Sequence, residues 1–403
     1  MKKKEKINIG IIGIGGYGKT HLKSILYGED QGLCRLKAAV IRNPDKYTEE
    51  AADLLSRGVS IYRNHGEMLV KEEGVLDLIV IVCGIHDHEA VSITALEHGF
   101  NVLCEKPAAG NIEQGLKMKA ARQRSGKILA IGYQNIYSPN IQRIKAMTLE
   151  HKLGRLIKAK GIALSPRNTS YYRRNSWAGK IQAEGKTVMD SPIQNAASHS
   201  LQNMLYVAGS STQTSAVPGK IYGECYRAKD IESADTQYVR VQTTDGVQIV
   251  LMASHAVSRD REIEAEYCYE KGKIIWKDSG QTVVYFYDDG KERAVETFDN
   301  GKVAIEFLVY RNVIQAIQQD ETPLCTMDNA FSHTVCVDKL FESSGDITTV
   351  AETYCKRTET PAKEDRSYIK GLNRLMDNMY REEKSFYDSG VPWAVKSQTV
   401  IWS

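Results

Sequence analysis

None of the eight cysteines in this chain forms a Cys-x-x-Cys pair. Single, scattered cysteines argue against a disulfide framework and a zinc ribbon, and suit reduced thiols in a cytoplasm. No run approaches the roughly 18 apolar residues of a membrane-crossing helix. Neither charge dominates, with 53 Lys+Arg against 50 Asp+Glu. Basic residues are scattered apart from Lys2 to Lys4, so nothing global favours nucleic acid. No Gly-x-Ser-x-Gly elbow suggests a serine hydrolase. Internal repeats and low-complexity tracts are missing as well. The opening Met-Lys-Lys-Lys and the run Ile7–Ile12 imitate a signal peptide. That run is short, holds Asn8 and Gly10, and enters a glycine loop without a small-residue cleavage site. It reads as a first strand.

What is present is a rhythm. The 403 residues suffice for two domains. Ile7–Ile12, Leu36–Ile41, Leu76–Val82, Asn101–Cys104 and Ile128–Ile131 read as strands, with helical stretches between several of them. Leu76–Val82 is almost continuously apolar, as expected of a strand covered on both faces. Residues 88–98 read as a helix stopped by Gly99. This alternation predicts a doubly wound parallel sheet over residues 1–138. Beyond it the pattern changes. Six strands are expected at 157–164, 221–226, 237–243, 247–255, 262–269 and 282–288, and Asp245-Gly246 marks a hairpin. Helices are expected at about 303–320, 328–344 and 365–384. Residues 139–403 therefore read as an α+β domain on a large, mostly antiparallel sheet.

Two segments carry chemistry in the first domain. Gly13-Ile14-Gly15-Gly16-Tyr17-Gly18 places G-x-G-x-x-G between a strand and a helix. The first glycine permits a tight turn, the second a close approach to a pyrophosphate, the third close helix packing. At the second strand end, Ile41-Arg42 stands where an acid would hold a ribose hydroxyl. Arg42 suits a 2′-phosphate, and Asp45 nearby keeps NAD and NADP both open. The second segment is Cys104-Glu105-Lys106-Pro107, just past a strand of the same sheet. A lysine there faces the ligand crevice and can bond a substrate hydroxyl or a developing alkoxide. A surface lysine at a strand end is the plainer alternative.

The second domain offers Asp190-Ser191-Pro192 followed by a helical pattern to Gly209. Ser191 and Pro192 fit N-cap and N1, and Gly209 fits a stop. Ala197, Leu201, Met204, Leu205 and Ala208 form an apolar stripe. Asn195, His199, Gln202 and Tyr206 form the opposite one, which contains no Lys or Glu and so suggests a polar cleft. His199 is its proton carrier near neutral pH. Upstream, Arg167 and Tyr171-Tyr172-Arg-Arg-Asn-Ser-Trp177-Ala-Gly179 combine rings that stack on sugars with groups that bond hydroxyls or an anion. The plainer reading is a loop packed by its own aromatics. His86-Asp87-His88 has no evident third ligand, so no metal is expected.

Together these segments resemble the glucose–fructose oxidoreductase / inositol dehydrogenase / MocA family. The resemblance covers most of the chain. It rests on the glycine loop, Ile81–His88, Glu105-Lys106-Pro107, Gly132-Tyr-Gln134 with Pro139, and Asp190 with His199. It implies NAD or NADP on a Rossmann domain, a second domain covering the nicotinamide, and a homodimer or homotetramer. It implies Lys106 and His199 as the proton-handling pair, with Asp190 beside them. Cys83, Ile85, His88, Glu105, Lys106 and Gln134 would join Gly13–Gly18, Ile41 and Arg42 around the cofactor. Arg167, Tyr171, Tyr172, Trp177, Asn195 and His199 would meet the substrate. The Lys106–Pro107 bond can be cis. The chain departs from the family at Asn195 and Gln202, where aspartates are usual, and at Cys83-Gly84-Ile85, where Thr-Pro-Asn is usual. Asp190 lies nine residues before His199, about five farther than the family's first aspartate.

Three function classes follow. The first is a metal-independent dehydrogenase acting on a secondary hydroxyl of a sugar, cyclitol or glycoside. The second is a redox-neutral enzyme that oxidises a sugar transiently and eliminates its glycosidic substituent. The third is a non-catalytic dinucleotide or sugar sensor.

Overall fold

A computed structural model describes residues 6–302, 304–359 and 365–402; the Lys2–Lys4 cluster lies outside them. The chain forms two units. One comprises residues up to Ser138 together with Lys302–Phe331; the other comprises Pro139–Gly301 and the chain from Ser332 onward.

The first unit runs β1 (Ile7–Ile12), α1 (Gly18–Asp30), β2 (Cys34–Val40), α2 (Thr48–Ser56), β3 (Ser60–Tyr62), α3 (His65–Lys71), β4 (Leu78–Ile81), α4 (Ile85–Glu97), β5 (Asn101–Cys104), α5 (Ile112–Ser125) and β6 (Leu129–Ile131). Its sheet is parallel, in the order β3-β2-β1-β4-β5-β6. All of β4 is buried, as its unbroken apolar run requires. The order reverses direction between β1 and β4, and the crevice at such a switch point is where an open α/β sheet takes its ligand. Helix α4 starts at Ile85, earlier than the expected 88, so His86, Asp87 and His88 occupy its first turn. Gly99 adopts φ 82° after it, the left-handed stop foreseen there.

Helix Ile305–Gln319, expected inside the second domain, belongs to this first unit. Its Phe307 ring meets Tyr27 of α1 edge-on at 4.7 Å. An amphipathic helix far along the chain has found its apolar partner on α1, a pairing that local periodicity does not encode.

The second unit runs α6 (Pro139–Leu149), β7 (Leu156–Leu164), α7 (Thr169–Arg173), β8 (Gln182–Ala183), β9 (Lys186–Thr187), α8 (Ser198–Ala208), β10 (Pro218–Arg227), β11 (Thr236–Thr243), β12 (Gln248–Ser254), β13 (Arg261–Tyr269), β14 (Gly272–Lys277), β15 (Thr282–Asp288) and β16 (Lys291–Phe298). The large sheet has the order β16-β15-β14-β13-β7-β12-β11-β10. Strand β7 is parallel to β12 and antiparallel to β13, so the sheet is mixed. The hairpin at Asp245-Gly246 is present, with Gly246 at φ 85°. Strands β14 and β16 escaped the sequence reading. Lysine at 273 and 277, and the exposed charged run 291–293, hide their alternation.

One sheet face meets α8, and a Cβ at Gly161 would stand 3.2 Å from Met204 Cε. The opposite face buries Ile162, Tyr238 and Met252 with Met376, Met379 and Phe386 from the C-terminal segment. That segment corrects the expected helix over 365–384. Asp365–Ile369 is a strand paired with Cys355–Glu359, and the helix occupies only Leu372–Glu382. Gly371, at φ 71°, separates the two. Among the described residues no helix is long and apolar enough to cross a membrane.

Candidate active site

In the first unit the glycine loop closes β1 onto α1. Gly13 adopts φ 96°, and a Cβ there would sit 2.4 Å from the Val82 carbonyl oxygen. A Cβ at Gly18 would sit 2.5 Å from Gly13 O. Both positions admit only glycine, as the motif requires. A Cβ at Gly16 would meet nothing within 4 Å, so the loop is open there, whereas a Cβ at Gly15 would stand 2.2 Å from Tyr47 Oη. Ile14 is buried beneath, and Tyr17 is 41% exposed. Gln134 Nε2 donates to Tyr17 Oη at 3.0 Å, tying the segment after β6 to the loop. Burial, then the charge of Glu105, pushes the Tyr17 phenol well above its ordinary pKa.

Glu105 and Lys106 lie at the carboxyl end of β5, beside the same switch point. Glu105 is buried, and its oxygens have distinct partners. Oε2 accepts from the Lys106 backbone N–H at 3.0 Å. Oε1 lies 2.8 Å from His21 Nε2, and His21 Nδ1 lies 2.6 Å from Tyr310 Oη. The phenol donates to a bare Nδ1, which leaves the proton on Nε2 for Glu105. A Cβ at Gly132 would crowd Glu105 Oε1 at 2.6 Å, so that glycine makes room for the carboxylate. The Lys106–Pro107 bond is cis. Sequence reasoning missed His21 and Tyr310. His21 falls one helical turn after Gly18, on the α1 face toward β5, which was a usable signal. Tyr310 had none, because its helix was assigned elsewhere.

Other expected cofactor contacts divide. Arg42 Nη2 bonds Asp87 Oδ2 at 2.9 Å, so the cation at the β2 end is held by an acid from α4. Ile41 and Ile85 are buried, and Cys83 is partly exposed. His88 was expected to touch the cofactor. Its Nδ1 is 2.8 Å from Pro107 O and its Nε2 3.3 Å from Cys83 O, so it braces the two loops instead. Burial holds its pKa below the ordinary histidine value. The order of the sheet, the glycine turn at Gly13 and Gly18 and the helix N-terminus at Gly18 fit a dinucleotide.

In the second unit the helix expected from Ser191 to Gly209 is interrupted. Ser191 Oγ accepts from Gln194 N as a cap. Pro192–Ala196 then forms a wide π turn, with Ala197 N–H bonded to Pro192 O at 2.7 Å, before α8 begins. The polar stripe divides there. Asn195 and His199 are partly exposed. Gln202 and Tyr206 are fully buried and bond Ser215 Oγ and Thr212 O, so they anchor a loop rather than line a cleft.

Asp190, expected to be catalytic, is buried. Its Oδ2 accepts from Gly179 N–H at 2.6 Å and its Oδ1 from Asn195 Nδ2 at 2.8 Å. Both oxygens carry protein donors, so Asp190 joins the end of the aromatic stretch to the π turn as a strut. Asn175 Oδ1 accepts from Trp177 N and Ala178 N, which shapes the bend before Gly179. Arg167, Tyr171, Tyr172 and Trp177 do come together. Arg174 lies 3.6 Å and Arg167 4.9 Å from the Tyr171 ring centre, and Arg174 is 5.4 Å from that of Trp177. His255, at the end of β12, joins them through Tyr172 Oη at 2.9 Å from Nδ1. Burial, then the cations Arg167, Lys229 and Arg174, hold His255 well below the ordinary histidine pKa.

Residues 7–133 match the model of an oxidoreductase family with an NAD-binding Rossmann fold. Inositol 2-dehydrogenase of Burkholderia cenocepacia (strain HI2424) is 21% identical over 305 residues, 73% of this chain and 83% of that protein. The inositol 2-dehydrogenase of Burkholderia vietnamiensis is 23% identical over the same length. Among solved structures, the WlbA dehydrogenase of Bordetella pertussis, in complex with NADH and UDP-GlcNAcA, has a TM-score of 0.70 at 21% identity. It covers 85% of this chain and 97% of its own. A levoglucosan dehydrogenase in complex with NADH and L-sorbose has a TM-score of 0.71 at 17% identity, covering 84% and 97%. All four are named dehydrogenases, and nothing in them supports the redox-neutral glycoside-cleaving alternative.

Proposed function

We propose that this chain, whose residues 7–133 match the Rossmann model of the glucose–fructose oxidoreductase / inositol dehydrogenase / MocA family, works as an NAD(P)-dependent member of it and oxidises a secondary hydroxyl of a sugar or cyclitol. Bound in the β1/β4 crevice, the nicotinamide would supply the hydride acceptor, or the donor in reverse. The observation that carries the reading is Lys106 at the carboxyl edge of β5, its backbone N–H fixed by the buried Glu105 carboxylate. Lys106 polarises the hydroxyl and takes its proton as the carbon gives up hydride, and the resemblance assigns His199 a proton-handling role as well. Asn195, held by Asp190, orients the substrate; Asp190 acts as a positioning residue. Tyr171, Tyr172 and Trp177 provide stacking surface for a ring. Inositol and sugar substrates in the names of relatives agree with a polyol substrate.

The cofactor in this reading is NAD, because Asp87 engages Arg42 at the β2 end. The proposal retains a homodimer or homotetramer, to be read by light scattering, and a reducing cytoplasm, which suits eight cysteines without a disulfide. The test is turnover of sugars and cyclitols with NAD and NADP, followed at the reduced-nicotinamide absorbance. Lys106→Ala and His199→Ala should each lower kcat at least about a hundredfold while dinucleotide binding persists. Near-native turnover in both variants refutes the assignment.

A further inference from the structure

We propose that Arg167, Arg174 and His255 form a receptor for a carboxylate, so that the substrate is an acidic sugar rather than a neutral one. The inference rests on the dehydrogenase reading above and narrows its substrate. Arg167 follows β7, and its backbone N–H is bonded to His255 O at 3.2 Å, which sets the two side by side. The Arg167 side chain makes no hydrogen bond or ion pair with any described residue, and its Nε is sealed from solvent. Arg174 donates to the carbonyl oxygen of Tyr171 at 2.6 Å and has no acidic partner among the described residues. Two guanidinium groups around one tyrosine ring without a carboxylate are an unbalanced arrangement, since arginine brought this close to other groups ordinarily takes a bidentate acid.

The second observation is His255. It is 4% exposed, and its Nε2 has no partner. Tyr172 donates its O–H to Nδ1 when the imidazole is neutral, which places the remaining N–H on Nε2 with no protein acceptor. A buried donor left open carries a desolvation cost that a ligand oxygen would remove. The nearby acids are already engaged. Asp190 holds Gly179 and Asn195, and Asp235 accepts from the N–H groups of Ala228 and Lys229 and from Thr236 Oγ1. A planar fork, one imidazole N–H and a flanking tyrosine ring match the flat, two-oxygen carboxylate of a uronic or aldonic acid. A sugar phosphate offers the same charge in a tetrahedral group and forms the second arm of the test.

The experiment uses the full chain with NAD and with NADP on matched sets: glucose, glucuronate and glucose 6-phosphate, then galactose, galacturonate and galactose 6-phosphate. The expected result is a kcat/KM for a uronate at least about thirtyfold above its neutral parent, and a ratio that falls about tenfold or more in Arg167→Gln. Arg174→Gln, at an exposed position, should lower the same ratio in a variant whose fold is not at risk. Neutral parents turned over as well as uronates, or a ratio unchanged in both variants, would overturn the carboxylate receptor and leave the dehydrogenase standing. Preference for the phosphate overturns the carboxylate assignment. If no compound is turned over with either nucleotide, the dehydrogenase reading fails on its own. Calorimetric titration of glucuronate and galacturonate into NADH-loaded protein then decides the receptor. Binding lost in Arg167→Gln supports it, and no binding refutes it.

Discussion

Replacing Glu105 by glutamine tests the hydrogen-bond chain that fixes the lysine loop. Both oxygens of this buried carboxylate accept, one from Lys106 N–H at 3.0 Å and one from His21 Nε2 at 2.8 Å. An amide keeps the size but turns one acceptor into a donor. While His21 keeps its proton on Nε2, an N–H group faces another N–H group whichever way the amide is oriented. A switch of His21 to its Nδ1–H tautomer would let Nε2 accept from the amide, but it turns the Tyr310 hydroxyl at 2.6 Å from donor to acceptor and leaves that buried O–H without its acceptor. The side chain cannot move away either, with Gly132 packed against Oε1. One lost charge-assisted bond and one unsatisfied buried donor cost about 2–3 kcal/mol. That is roughly a 30- to 150-fold rise in local opening, at 1.36 kcal/mol per factor of ten. All four tryptophans lie at 177, 276, 393 and 402, in the second unit, so intrinsic fluorescence does not report on this site. Amide hydrogen exchange read by mass spectrometry does. Peptides covering β5 through Pro107 and the first turns of α1 should lose protection by that factor, while peptides from β11 and β12 stay unchanged. Exchange within threefold of the wild type at both sites would refute the view that Glu105 holds this loop.

Three further outcomes follow from the geometry. Gly13→Ala forces a side chain onto φ 96° and into the Val82 carbonyl, and should abolish dinucleotide binding in calorimetry. Lys145 is buried and donates to Tyr206 O and Gly209 O, each at 2.6 Å, at the end of α8; Lys145→Met should cost about 3–5 kcal/mol in chemical denaturation. Burial lowers the Lys145 pKa to about 7, so between pH 7 and its unfolded value of roughly 10.4 the unfolded chain binds more protons. Wild-type stability therefore gains up to about 1.4 kcal/mol per pH unit from this group over that window, a gain that Lys145→Met lacks. Asp87→Asn removes the acid that engages Arg42 and should shift the NADP-to-NAD ratio of kcat/KM upward by about tenfold, measured with one substrate.

Local pattern determined much of this protein. The first strand and its glycines, the buried run at β4, the hairpin at Asp245-Gly246 and the cap at Ser191 depend on neighbours within a few residues, and each is where the sequence puts it. The aromatic stretch around Tyr171 was legible for the same reason, because a loop without lysine or aspartate and with three large rings and two guanidinium groups has few uses. Contacts between distant segments were decided only by the tertiary structure. Tyr310 reaches His21 across 289 positions, and His255 reaches Tyr172 across 83. Asp190 looked like a free acid until Gly179 and Asn195 occupied its oxygens. Gln202 and Tyr206 looked like a cleft until the loop at 212–215 closed over them. Periodicity states which face of an element is polar, but not whether water, a ligand or another part of the chain will meet it.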